Sequence, residues 1–156
     1  MKVLQLVTKR QFRGAEVFAA TLSEELIRKG IEVCYAGIYP AASPPIVVEE
    51  AKNIDLNGKK KFLSLSLVWK LAELIRDGKF DIIQANGSDT LKYAVAARAV
   101  SRVSVPIVYR NISMVSAWVG NNFLKKWFYS ILFSRIDFIT SVGVESINDL
   151  VSLFDY

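Results

Sequence analysis

The stretch "KVLQLVTKRQFRGAEVFAATLSEELIRKGIEVCYAGIY", residues 2–39, decides the fold class of this 156-residue chain. Its two ends, Lys2–Val7 and residues 31–39, are aliphatic and β-branched runs that predict buried strands. Gly30 ends a predicted helix between them, because glycine favours the position after a helix C-terminus. The apolar stripe of this helix comprises Ala15, Phe18, Ala19, Leu22 and Leu26. Strand, helix and strand in this order predict a parallel βαβ unit.

The same alternation continues along most of the chain. Three more strands are predicted over residues 80–85, 105–110 and 136–141, and four more helices over residues 66–78, 88–102, 118–134 and 144–154. Residues 40–60 carry turn signals and lead into the basic run of Lys59, Lys60 and Lys61, which we expect to be a solvated loop. The pattern predicts a single α/β domain over residues 1–156, with a Rossmann-like, open, mainly parallel sheet and helices on both faces.

Composition limits the functions that the chain can have. Apolar residues make up 52% of it and charged residues 22%, which is typical of a globular domain. The net charge of +5 favours anionic partners, but the basic residues form no stripe interleaved with aromatics, so we expect no nucleic-acid partner. The sequence contains zero histidines, which excludes Ser-His-Asp and Cys-His catalysis within the chain, and we expect no metal.

Cysteine usage and hydropathy bear on the cellular setting. The single cysteine, Cys34, is predicted to be a buried thiol, which fits a reduced, cytoplasmic environment. The N-terminus becomes polar too soon for a secretory signal. No stretch reaches the roughly 18–20 apolar residues that a membrane-spanning helix needs.

The first candidate site is the loop before the first helix. Parallel sheets bind ligands beyond the carboxyl ends of their strands, so the loops that follow the strands matter most. Gly14 precedes a helix whose first N–H groups lack partners, and Arg10 and Arg13 add positive charge, which favours a phosphate or a sugar hydroxyl. Alternatively, Gly14 only turns the chain and Glu16 only complements the helix dipole. Neither a dinucleotide fingerprint nor a P-loop is present.

Two other strand ends carry candidate residues. Asn86 stands at the tip of one predicted strand, and Ser88 or Asp89 after it either caps the next helix or contacts a ligand. Arg110 and Asn111 end the following strand in the same way. An arginine at that place suits a phosphate or a carboxylate, and a structural salt bridge is an equal alternative.

The stretch over residues 118–133 is unusually aromatic. It carries two tryptophans, Trp118 and Trp127, beside Lys125 and Lys126. Aromatic rings next to lysines suit a membrane interface, where the rings lie at headgroup level and the lysines meet anionic lipid. The alternative is a helix that packs on the sheet and leaves one face in water.

Together the motifs resemble the N-terminal domain of two-domain, GT-B fold glycosyltransferases of glycosyltransferase family 4, over most of the chain. "MKVLQLV", "RGAE" and "LSEELIRKGIEV" are similar to the family's opening and its Gly-Gly-x-Glu core, with Arg13 at the first glycine. "FDIIQANG" and "VPIVYRN" are similar to family strands that end in histidine, and Asn86 takes that position in the first. "IDFITSVGVESINDL" resembles the next strand and its helix. The departures at Arg13, Asn86 and Arg110 imply an unusual acceptor or reduced activity.

The resemblance implies the acceptor-binding half of a retaining glycosyltransferase that is inactive alone. The family's C-terminal domain, which holds a UDP- or GDP-sugar donor with a basic pair and a Glu-x7-Glu motif, has no counterpart in these residues. The implied acceptor is a cell-envelope or lipid-linked glycan, met in the cytoplasm or peripherally at the inner face of the membrane. No catalytic residue is identified. The implied substrate-binding residues are Arg13, Gly14, Ala15, Glu16, Asn86, Ser88, Arg110 and Asn111.

Two hypotheses from other classes stay open. The chain could be a stand-alone, non-catalytic module that binds an anionic glycan or a membrane surface. It could also be a small nucleotide-binding α/β protein, although no recognised phosphate loop is present.

Overall fold

The computed structural model describes residues 1–59 and 63–154, so Lys60 and Lys61 of the predicted basic loop lie outside the described residues. Strands and helices alternate along most of this length, as the sequence predicts. The strands are β1 (Lys2–Val7), β2 (Glu32–Gly37), β3 (Lys52–Asp55), β4 (Ile82–Asn86), β5 (Ile107–Asn111) and β6 (Phe138–Ser141). The helices are α1 (Gly14–Arg28), α2 (Leu65–Gly78), α3 (Ser88–Ser101), α4 (Ser116–Val119), α5 (Phe123–Phe133) and α6 (Val144–Phe154).

The strands form one six-stranded sheet in the order β3-β2-β1-β4-β5-β6. Every neighbouring pair is parallel, which confirms the predicted fold class. The strand order reverses between β1 and β4, which are adjacent in the sheet but far apart in the chain. Sheets of this kind hold ligands in the crevice at that reversal, beyond the carboxyl ends of the strands.

Helices cover the two faces of the sheet unequally. On one face, Ala19 and Ala20 of α1 pack against Val7 and Tyr35. On the other face, α2, α3 and α5 bury a larger apolar core. Fully buried members of that core include Leu4, Leu6, Leu71, Ile83, Leu91, Tyr109 and Phe133.

Part of the α1 face remains open over β5 and β6. Residues that are paired across neighbouring strands lie on the same face of the sheet. Arg110 pairs with Thr140 and Val108 pairs with Phe138, so these four side chains share one face. Phe138 is 66% exposed, and Thr140 is also exposed. Within the described residues, no helix packs over this corner of the sheet, so Arg110 lies on an open face beside α1.

Cys34 lies at the centre of β2 and is 0% exposed. This position confirms the predicted buried thiol. Burial raises the pKa of the Cys34 thiol to about 11, because the low-dielectric surroundings disfavour the thiolate.

Two elements differ from the sequence predictions. Strand β3 lies within residues 40–60, which were expected to form loops. Its sequence "KNID" has no apolar run, and it forms because its backbone pairs with the edge of β2. The helix predicted over residues 118–134 is divided into α4 and α5, because Gly120 adopts a φ of +58° that no helix continues through.

We predict that Leu71→Ala lowers the free energy of unfolding by about 2–5 kcal/mol, because it leaves a cavity under α2. Leu71 is 0% exposed. Leu65 lies in the same helix but is 73% exposed, so Leu65→Ala is the matched control and should change stability by less than about 0.5 kcal/mol. Urea denaturation of both variants measures the difference. Equal losses would show that α2 does not face the sheet as described.

Candidate substrate cleft at the carboxyl edge of the sheet

Arg10 fixes the loop between β1 and α1. Its Nε donates to Oδ1 of Asp55 at 2.9 Å and its Nη2 donates to Oδ2 at 2.6 Å. Its Nη1 donates to the Ile46 carbonyl at 3.0 Å. The hydrogen bonds to Asp55 raise the pKa of Arg10. The charge of Arg10 is therefore neutralised inside the protein, whereas Arg13 is exposed to solvent.

The start of α1 is open to solvent. Arg13 is the N-cap residue, and no side chain caps the first N–H groups of the helix. A Cβ built on Gly14 would meet no atom within 4 Å, and Gly14 has no positive φ, so neither packing nor backbone conformation requires glycine there. The turn interpretation of Gly14 thus lacks a structural basis. Ala15 is half-buried. Glu16 is buried, and its Oε1 accepts a hydrogen bond from Nε2 of Gln11 at 3.2 Å.

Three amide side chains meet where the strand order reverses. Nδ2 of Asn86 donates to Oε1 of Gln5 at 3.1 Å and to the Leu6 carbonyl at 3.2 Å. Nε2 of Gln84 donates to Oδ1 of Asn86 at 3.3 Å. The Asn86 side chain is buried and bonded through both its polar atoms, so its visible role is to join β1 to β4. The sequence analysis missed Gln5 and Gln84, whose signal was glutamine inside otherwise apolar strands.

Gly87, and not a side chain, begins α3. Gly87 is the N-cap residue with a φ of +101°, and no side-chain capping bond is formed, so the predicted capping by Ser88 or Asp89 is wrong. Asp89 instead accepts a hydrogen bond from Nζ of Lys92 at 2.6 Å. The positive φ leads the chain directly from β4 into the helix, which leaves no room for a capping turn. Ser88 is half-buried and lines an apolar cleft described below.

Arg110 lies at the open corner between α1 and β6. Its Cζ atom is 3.7 Å from the centroid of the Phe18 ring, a cation–π stack. Its Nη1 is buried and has no hydrogen-bond partner. Burial lowers the pKa of Arg110. Among residues 1–59 and 63–154, no carboxylate forms an ion pair with it, so the structural salt bridge considered for this residue is not formed there.

Asn111 turns to the opposite face of the sheet. It is 0% exposed, and its Nδ2 donates to the Ser146 carbonyl at 3.0 Å. Its Oδ1 is buried without a hydrogen-bond partner. Asn111 therefore ties β5 to the start of α6, and the structure does not bring its side chain together with that of Arg110.

The aromatic segment over residues 118–133 has a buried inner face, as the packing alternative predicts, and an exposed apolar outer face. Its inner face packs on the sheet, where the rings of Tyr129 and Phe133 are buried. The ring of Trp118 stands edge-on to Tyr129, with centroids 4.5 Å apart. Its outer face exposes large apolar side chains next to Lys125 and Lys126: Phe123 is 76%, Leu124 72% and Trp127 59% exposed. An open, mainly apolar cleft of about 480 Å³ is lined by Ser88, Trp118, Leu124, Lys125, Trp127, Phe128 and Tyr129.

The described residues contain neither a metal-binding cluster nor a membrane-spanning helix. Across residues 1–59 and 63–154, no three His, Cys, Asp or Glu side chains come together in a way that could hold a metal ion. Over the same residues, no helix has the length and apolar character required to cross a membrane.

The fold is that of a Rossmann-like domain of GT-B proteins, as comparison with solved structures shows. HepE from Anabaena, solved in complex with UDP and glucose, superposes with a TM-score of 0.77 at 17% identity, over 98% of this chain and 41% of HepE. The lipopolysaccharide outer core galactosyltransferase WaaB gives a TM-score of 0.67 at 12% identity, over 98% of this chain and 42% of WaaB. A putative UDP-N-acetylglucosamine 2-epimerase from Listeria monocytogenes gives 0.68 at 17% identity, over 97% and 41%.

The family is shown by sequence. The model of Glycosyltransferase Family 4 matches residues 12–155, so the chain belongs to this family. No curated protein sequence matches the chain significantly. The chain spans about two fifths of the length of the solved structures named above, 41% in the case of HepE.

We predict that Asp55→Asn lowers the free energy of unfolding by about 2 kcal/mol, because it removes the charge-assisted hydrogen bonds to the guanidinium of Arg10. The side chains of Arg10 and Asp55 are only 11% and 18% exposed. Asp77 pairs with Arg76 on the surface and is 73% exposed, so Asp77→Asn is the matched control, with an expected change below about 0.5 kcal/mol. Thermal unfolding compares the two. An unfolding temperature of Asp55→Asn equal to that of the wild type would show that the Arg10–Asp55 pair does not stabilise the fold.

Proposed function

We propose that this chain is the acceptor-binding half of a glycosyltransferase that moves a sugar, with retention, from a nucleotide-sugar donor to a cell-envelope or lipid-linked glycan. The observation that carries the proposal is the uncapped start of α1 at the carboxyl edge of the sheet. The chain that forms this sheet belongs to Glycosyltransferase Family 4. HepE, whose fold is similar, was solved with UDP and glucose. We propose a UDP- or GDP-sugar as the donor.

The start of α1 suits a negatively charged group. The N–H groups of Gly14, Ala15 and Glu16 have no partners within the helix, and the positive end of the helix dipole points beyond the sheet edge. Arg13 adds a full positive charge that no described side chain neutralises. In the proposed enzyme these groups contact the diphosphate or the transferred sugar of a donor that a second domain holds. The leaving phosphate then assists the attack of the acceptor, so the proposed reaction requires no histidine in this chain.

The proposal includes a donor-binding domain outside these residues. This chain covers 41% of HepE and 42% of WaaB. A cleft between two domains excludes water when it closes, which protects the donor from hydrolysis. We therefore propose that the chain alone catalyses no transfer.

We predict that Gly14→Val in the whole protein lowers kcat/KM about tenfold or more, because the branched side chain blocks approach to the N–H groups of α1. Folding should be preserved, since a Cβ at this position meets no atom within 4 Å. Thr21→Val, on the exposed side of the same helix, is the matched control and should leave kcat/KM unchanged. Release of UDP or GDP from a panel of nucleotide sugars, in the presence of lipid-linked glycans, measures the rate. Sugar transfer by residues 1–156 alone would refute the proposal that the reaction requires a second, donor-binding domain.

The outer face of α5 favours a second candidate, a non-catalytic module that binds an anionic glycan or membrane surface. Phe123, Leu124 and Trp127 expose apolar area beside Lys125 and Lys126, an arrangement that suits the boundary between lipid headgroups and acyl chains. The same contact is compatible with an enzyme that works peripherally at the cytoplasmic face of a membrane. Only the catalytic proposal requires nucleotide-sugar turnover.

We predict that the chain binds vesicles containing phosphatidylglycerol and that added salt weakens this binding, since surface charges are screened. The double change Lys125→Glu and Lys126→Glu should reduce vesicle affinity about tenfold or more, because each lysine near an anionic surface contributes roughly 1 kcal/mol. The double change Lys29→Glu and Lys52→Glu alters net charge equally at exposed positions elsewhere and should have a smaller effect. Cosedimentation measures the affinities. Equal losses in the two double variants would contradict a specific role for α5.

A further inference from the structure

Three arginines of the described residues are partly buried, and they differ in what surrounds their charge. Arg10 forms its paired hydrogen bonds with Asp55. Nη1 of Arg98 donates to Oδ2 of Asp137 at 2.9 Å and to the Val105 carbonyl at 3.2 Å. Arg110 has a buried Nη1 without any partner. A buried donor without a partner is destabilising, so Arg110 is the one of the three whose environment is incomplete.

The Phe18 stack decides which part of Arg110 can bind a ligand. The ring covers one face of the guanidinium plane at 3.7 Å, and the N–H donors lie at the edges of that plane, which the ring does not cover. An arginine edge presents two parallel N–H groups, which match the two oxygens of a carboxylate or a phosphate. Stacking on a ring also restricts the rotation of the side chain, so little further conformational entropy is lost when an anion binds.

The space beside Arg110 is a cleft of about 350 Å³. It lies between α1 and the carboxyl ends of β5 and β6, on the open face of the sheet. Its lining includes no acidic side chain and consists of Phe18, Leu22, Gln84, Arg110, Thr140, Ser141 and Val142. Thr140 is exposed and adds a neutral hydroxyl to the cleft. This volume lies in the range of about 300–1,000 Å³ that small-molecule sites occupy.

We propose that this cleft is a subsite for an acidic sugar unit of the substrate, in which the guanidinium edge of Arg110 binds the carboxylate or phosphate of that sugar. The proposal rests on the proposed function, because it assigns the anionic sugar to the acceptor glycan. The Thr140 hydroxyl would bind a hydroxyl of the same sugar. The absence of an acidic lining residue leaves the charge of Arg110 available to the ligand.

The test is an NMR titration of the 156-residue chain with D-glucuronate, glucose 6-phosphate and D-glucose. We expect one of the two acids to bind at least about tenfold more tightly than glucose, because a hydrogen bond to a charged group is stronger than one between neutral groups. The amide signals of Arg110 and Thr140 should shift. Preference for glucuronate identifies a carboxylate subsite, and preference for glucose 6-phosphate identifies a phosphate subsite.

Two variants assign the effect to the guanidinium. Arg110→Gln should reduce binding of the preferred acid to the level of glucose, and Arg110→Lys should retain part of it, because lysine keeps the charge but loses the fork. Arg76→Gln, at an exposed arginine of α2, is the matched control and should bind like the wild type. Arg110→Gln removes no ion pair of the described residues, so its melting temperature should stay close to that of the wild type.

Several outcomes would overturn the proposal. They are equal binding of acid and glucose, unchanged acid binding in Arg110→Gln, and binding of acetate or inorganic phosphate as tightly as the acidic sugars. The titration needs neither donor nor second domain, so it fails independently of the proposed function. Acid-selective binding in a protein whose full length transfers no sugar would leave the subsite in place and reject the transferase.

Discussion

The junction between β1 and β4 is the constraint on which the structure depends. Here the chain reverses the direction in which it adds strands, and Gln5, Gln84 and Asn86 form a hydrogen-bonded network across the boundary, in which Gln5 and Asn86 are buried. A buried amide is stable only when its donors and acceptors are paired, so a slip in register would leave several of them unpaired. The network thereby holds the two halves of the sheet in one alignment, and with them the loops that follow β1 and β4.

Charge is distributed around this junction in two ways. Arg10 is neutralised within the protein by its ion pair with Asp55, and this pair fixes the loop between β1 and α1. At the open edge, Arg13 and Arg110 have no acidic partner among the described residues. Two arginines without an acidic partner among the described residues thus lie at the carboxyl edge of the sheet. Such an arrangement attracts anions over a distance and also binds them at contact.

The sequence predicts the fold well because periodicity and turn residues report burial directly. It fails at β3, whose polar "KNID" has no apolar pattern and whose strand exists through backbone pairing with β2. For the site, the sequence identifies the strand ends but not what each side chain does there. Alternation along β5 places the neighbours Arg110 and Asn111 on opposite faces. Whether an arginine finds a carboxylate depends on residues distant in sequence, which pattern analysis does not provide.

Cys34 has a practical consequence for the study of this chain. As the single cysteine, enclosed in β2 with a pKa raised to about 11, it is unreactive while the sheet stays closed. A thiol reagent at neutral pH therefore modifies only molecules in which β2 has opened. The rate of modification therefore reports how often the sheet opens, without any label introduced by mutation. A bound ligand that stabilises the sheet would lower this rate.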